Sequence, residues 1–102
     1  MSVDRRFRET LAASDGGHRV EVEIDGHPYC FKVLNISQGG IGMLVMQTQS
    51  EVLPLLQGKS RIQMVHITPK GRMEIMAVLR HTSIIGSGEF EGNYVVGFSI
   101  TI

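Results

Sequence analysis

Two short stretches of this chain carry side chains suited to holding an anionic ligand. Arg5, Arg6 and Arg8 put three guanidinium groups into four residues, interrupted by Phe7. A guanidinium donates paired hydrogen bonds to phosphate oxygens or to the O6/N7 edge of guanine, and its flat face stacks on purine rings. Downstream, Asn35-Ile36-Ser37-Gln38-Gly39-Gly40 combines an amide, a hydroxyl and two glycines, the residue types of a tight polar turn. Gly39-Gly40-Ile41-Gly42 is open enough to cradle a phosphate. It lacks the lysine and helix of a P-loop, and a plain turn accounts for it equally well.

Other chemistries find less support. Ser37 as a hydrolytic nucleophile needs the first glycine of G-x-S-x-G and a strand-to-helix elbow, and the sequence around it offers neither. The expectation is a binding domain, not an enzyme. His18, His27, His66 and His81 form no H-x-x-x-H or Cys/His cluster, so no metal or other cofactor is expected. His27 in a turn and His66 in a strand take ordinary structural roles. Met43, Met46, Met64, Met73 and Met76 read as adaptable core filling. The single cysteine, Cys30, has no partner for an intrachain disulfide and reads as a buried, inert thiol in a reducing compartment.

Ten basic and ten acidic side chains cancel, which removes the positive field behind non-specific nucleic-acid binding. Six aromatics spread over a neutral chain also argue against an OB-like barrel gripping single strands. No run approaches the length of a membrane span, and the charges at the start have no apolar stretch behind them. The expected setting is cytoplasmic, without membrane insertion and without a nucleic-acid polymer as partner.

The elements that must position these residues are legible from alternation. Residues 1–17 are polar, charged and then glycine-bearing, and read as a flexible arginine-bearing arm; residues 18–102 form the folded domain. Val20, Val22 and Ile24 alternate with Glu21 and Glu23, the mark of a half-buried strand. Asp25-Gly26 signals a tight hairpin, and Tyr29–Leu34 returns with Tyr29, Phe31 and Val33 on one face. After the polar turn at 35–40, Ile41–Met46 is a third strand in which Gly42 marks a close approach or a bend. Ser50 is placed to cap one or two helical turns through Glu51–Leu56, limited by Pro54 and Gly58. Arg61–Ile67, Met73–Ile85 and Tyr94–Ile102 alternate again, separated by Thr68-Pro69-Lys70-Gly71 and by the glycine-rich loop 86–93. The expected architecture is all-β: a six-stranded antiparallel barrel with at most one short helix, closed because closure removes exposed edges.

An arginine-bearing arm, two alternating strands and then Asn35-Ile36-Ser37-Gln38-Gly39-Gly40 together resemble the PilZ family. That family pairs an Arg-x-x-x-Arg element with a downstream Asp/Asn-x-Ser-x-x-Gly motif, and Asn35, Ser37 and Gly40 match every specified position of the second. The likeness continues through Ile41-Gly42-Met43-Leu44 and Tyr94-Val95-Val96-Gly97-Phe98. It implies a barrel that binds cyclic di-GMP, a dinucleotide of two guanines and two phosphates, on its outer surface. By that resemblance Asn35 meets a guanine edge, Ser37 and Gly40 shape the turn and contact the ligand, and Arg5, Arg6 and Arg8 close over it from the arm. The arm departs from the family pattern, since Arg5 and Arg8 stand three apart and no pair stands four apart. A degenerate protein-interaction module that does not bind the nucleotide is the alternative, and a downstream protein partner is expected in either case.

Overall fold

The structure, a computed structural model, describes residues 18–101. β1 (Arg19–Ile24) buries Val20, Val22 and Ile24. Asp25 and Gly26 then adopt φ of 52° and 84°, the pair of positive angles that a type I′ hairpin requires. β2 (His27–Ser37) runs back antiparallel to β1, and β3 (Gly40–Val45) runs back again along β2. After a 3-10 turn at Gln47–Gln49 and a short helix α1 (Val52–Gln57), the chain forms β4 (Ile62–Thr68), β5 (Gly71–Ile84) and β6 (Tyr94–Thr101). The strands close in the order β1-β2-β3-β6-β5-β4, each pair antiparallel. The expected six-stranded barrel is therefore the observed one, and every strand has two neighbours.

Inward-facing residues of all six strands form one core, from Val20 and Phe31 through Met43 and Met64 to Val96 and Phe98, and α1 adds Val52 and Leu56 to it. Pro54 is the third residue of α1, where an N–H has no intrahelical acceptor to lose. Ser50 does not cap this helix. Its N–H closes the preceding 3-10 turn on Gln47, and α1 starts behind Glu51 with no side-chain cap.

Three further expectations are corrected. Cys30 is exposed, because Phe31 and Val33 face the core and period two sends the even-numbered residue beside them outward. Met43 and Met64 fill the core, but Met46 and Met73 are 40% and 50% exposed. The segment 35–40 is not a six-residue turn: β2 continues through Ser37 and β3 begins at Gly40, leaving Gln38-Gly39 as the connection.

His18 and His66 meet at one end of the barrel, their ring centroids 5.7 Å apart. His66 pairs with Val20 across β1 and β4, so its ring lies on the inward side. His18 Nδ1 and His66 Nε2 are both closed to water and without a hydrogen-bond partner. Burial, and then the neighbouring His18, hold His66 below its ordinary value of 6.5. The folded state therefore binds fewer protons at this site than the unfolded chain, and stability falls as pH drops below about 6.5 toward the lowered value. Urea midpoints at pH 8, 6.5 and 5 are expected to decline in that order. A His66→Phe variant is expected to flatten the decline, and an unchanged slope would place its origin elsewhere.

Candidate functional site

Strict alternation along β2 would aim Asn35 into the core with Phe31 and Val33. It does not, because the register shifts between Val33 and Asn35: Val33 pairs with Met43 and Asn35 with Gly42, leaving Leu34 as the extra residue of a bulge. Ile36 takes the inward side opposite Ile41, while Asn35 and Ser37 point out. β5 repeats the device. Leu79 pairs with Phe98 and His81 with Gly97, so Arg80 is extra, and His81 is turned outward although Ile75, Ala77 and Leu79 of the same parity face in. A bulge re-aims the side chains that follow it and sharpens the local twist. Here two bulges, on the strands flanking β3 and β6, bring polar groups onto the same outer wall.

Between them lies a floor without side chains. Gly42 pairs with Gly97 across β3 and β6, so one row across the wall reads Asn35, Gly42, Gly97, His81. Gly42 has space for no side chain of its own. A Cβ there would lie 2.5 Å from Asn35 Oδ1 and 3.0 Å from Cγ and Nδ2, so the Asn35 amide rests over the Gly42 backbone. Gly97 is covered in the same way by the His81 imidazole. The close approach expected at Gly42 is thus made by the side chain of Asn35.

The next row reads Ser37, Gly40, Ser99, Val78. Ser37 Oγ makes a long contact of 3.5 Å to the Gly40 carbonyl, and Ile100 N–H donates to Gly39 O at 3.1 Å, which fastens the hairpin to β6. Arg80 Nε donates to Ser99 Oγ at 2.9 Å, leaving the rest of an exposed guanidinium beside the floor. Ser37, Gly39, Arg80, His81, Gly97, Phe98 and Ser99 line a surface pocket of about 310 Å³. A larger cleft of about 860 Å³ sits on the opposite wall, along the β1–β4 seam. It holds none of the sequence-predicted residues, and its rim mixes Glu21 and Glu23 with Lys59 and Arg61, a poor setting for an anion.

Asn35, Ser37 and Gly40 are therefore brought together at one hairpin. Arg5, Arg6 and Arg8 lie outside the described residues. Arg80, His81 and Gly97 were not singled out from the sequence: Arg80 faces outward by alternation but matches no motif, and only the bulge turns His81 onto this wall. Among the described residues no group of three or more His, Cys, Asp or Glu is placed to hold a metal ion. Among them, too, no helix is long and apolar enough to cross a membrane.

No protein-family model matches the sequence, and no curated protein matches it. A solved structure does: the chain superposes on the PlzA protein of Borreliella burgdorferi, solved in complex with c-di-GMP, with a TM-score of 0.69. The match covers 99% of this chain and 47% of PlzA at 11% sequence identity. The chain thus spans about half of that protein, and its six-stranded barrel is the fold of a region of PlzA.

Proposed function

We propose that this chain is a cyclic di-GMP receptor domain of bacterial second-messenger signalling, acting in the cytoplasm without catalysing a reaction. The observation that carries the reading is the outer wall itself. Two bulges turn Asn35 and His81 to either side of a glycine floor, with Arg80 next to His81 and a hairpin built from Ser37 and Gly40 alongside. The c-di-GMP bound by PlzA supports it, as does the match of Asn35, Ser37 and Gly40 to the PilZ motif.

On this reading the Asn35 amide, which carries both donors and an acceptor, meets a guanine edge. The glycine floor lets Asn35 and His81 lie close against the backbone, which keeps the wall low enough for a flat ring, and Arg80 faces a phosphate. Arg5, Arg6 and Arg8, from the segment that leads into β1, close over the ligand and supply the remaining cationic donors. Hydrogen bonds to charged groups contribute roughly 1.5–3 kcal/mol each, and about 1.4 kcal/mol is a factor of ten in affinity. Two or three such contacts separate millimolar from micromolar binding.

Calorimetric titration with cyclic di-GMP is expected to give saturable, micromolar binding. GTP and ATP are expected to bind far more weakly, because neither presents two guanines and two phosphates together. A flat titration at a few hundred micromolar ligand would refute the reading.

A further inference from the structure

We propose that the His81 imidazole is a stacking platform for one purine base of the ligand, seated flat because position 97 has no side chain. The inference rests on the cyclic-dinucleotide reading and adds a residue and a mode of contact to it.

Gly97 stands between the buried side chains of Val96 and Phe98 on β6, so its missing side chain is one that would point outward. Its φ is not in the left-handed region. Backbone conformation therefore does not require glycine here, and only space does. That space is taken by His81: a Cβ on Gly97 would lie 2.8 Å from Nδ1 and 2.9 Å from Nε2 of the ring. The Nδ1–Cε1–Nε2 part of the imidazole, with Cε1 nearest, thus occupies the place that a side chain on Gly97 would take. The residue remains exposed, and among the described residues it donates and accepts no hydrogen bond. The ring is thus packed against a glycine while the residue stays open to solvent.

An accessible aromatic ring beside a strand without a side chain is what a nucleobase stacks on, and such stacking is tolerant of base identity. The placement beside Arg80 suits a nucleotide in particular. Arg80 is anchored through Nε on Ser99 and keeps its other N–H groups over the same pocket. A base lying on His81 would therefore have its phosphate within reach of a guanidinium. The Asn35 amide, lying over the adjacent Gly42, would meet the base edge from the other side.

Four variants separate stacking from the other things a histidine does. In cyclic di-GMP titrations His81→Ala is expected to weaken binding about ten-fold, and His81→Phe to stay within about two-fold of the parent, since base–aromatic contact survives only in the second. His81→Gln, which keeps hydrogen bonding without a ring, is expected to behave like His81→Ala. Gly97→Ala is expected to weaken binding as His81→Ala does, because the added methyl evicts the ring without removing it. Urea midpoints of all four confirm that the barrel is intact. In the free protein, the Gly97 Hα resonances are expected to shift downfield in His81→Ala, as the ring current above them is lost. Parent binding with no loss in His81→Ala would remove the platform and leave the nucleotide reading standing. Retention by His81→Gln with loss in His81→Phe would replace stacking by hydrogen bonding. Failure of the parent to bind would take both readings down.

Discussion

Phe98→Ala is expected to lower the free energy of unfolding by about 3–5 kcal/mol, the range for truncating a buried phenylalanine. Against the roughly 5–15 kcal/mol that holds a domain of this size together, that is a large share. Phe98 is 2% exposed and is among the largest fully enclosed side chains of the core. It pairs with Ile41 on β3 and with Leu79 on β5, the last regular pair before the β5 bulge. Its loss leaves a cavity beneath the outer wall, directly behind Gly97 and Ser99. Urea denaturation followed by far-ultraviolet circular dichroism measures the effect. Ligand binding is expected to weaken in parallel, because the floor and its support are one strand. A loss below about 1 kcal/mol would mean that the neighbouring side chains collapse into the space, and that the wall does not depend on this ring.

The barrel was legible because its signals are local and redundant. Val20-Glu21-Val22-Glu23-Ile24 alternates without exception, and Asp25-Gly26 has few alternatives to a type I′ turn. Cys30 was misread although the information was present, since Tyr29, Phe31 and Val33 on one face already require Cys30 on the other. The site was harder to see for a physical reason. Extrapolating period two from Phe31 and Val33 sends Asn35 inward, and extrapolating it from Ala77 and Leu79 sends His81 inward. A bulge is one residue of slippage, and nothing in Val33-Leu34-Asn35 or Leu79-Arg80-His81 announces it locally. What fixes the slip is non-local: Ile36 takes its place opposite Ile41 and packs on the core, and Thr82 pairs with Val96. The motif match found Asn35, Ser37 and Gly40 without knowing where they point. Arg80 and His81, matched by no motif, became visible only once the strands were paired.

The same geometry gives a test of Asn35 that does not begin by mutating it. Gly42 has no positive φ, so alanine there meets no backbone penalty and removes the conformational freedom that makes glycine unfavourable in a strand. What it does meet is the Asn35 amide, whose Oδ1, Cγ and Nδ2 all lie within 3.0 Å of the new methyl. Asn35 is half-buried on the outer wall and can swing toward solvent. Gly42→Ala is therefore expected to leave the urea midpoint unchanged or raised while displacing the amide. If that amide reads a guanine edge, cyclic di-GMP affinity falls about ten- to hundred-fold, the value of a well-made side-chain contact to a base. Asn35→Ala is expected to cost the same. The decisive variant is the double substitution. With alanine at 35 there is no amide to displace, so adding Gly42→Ala is expected to have no further effect, a coupling that two independent sites would not show. Additive losses would instead mean that the ligand rests on the Gly42 backbone itself and is excluded by the methyl, whatever the amide does. In that case the floor, and not Asn35, would be the element that selects a flat ring.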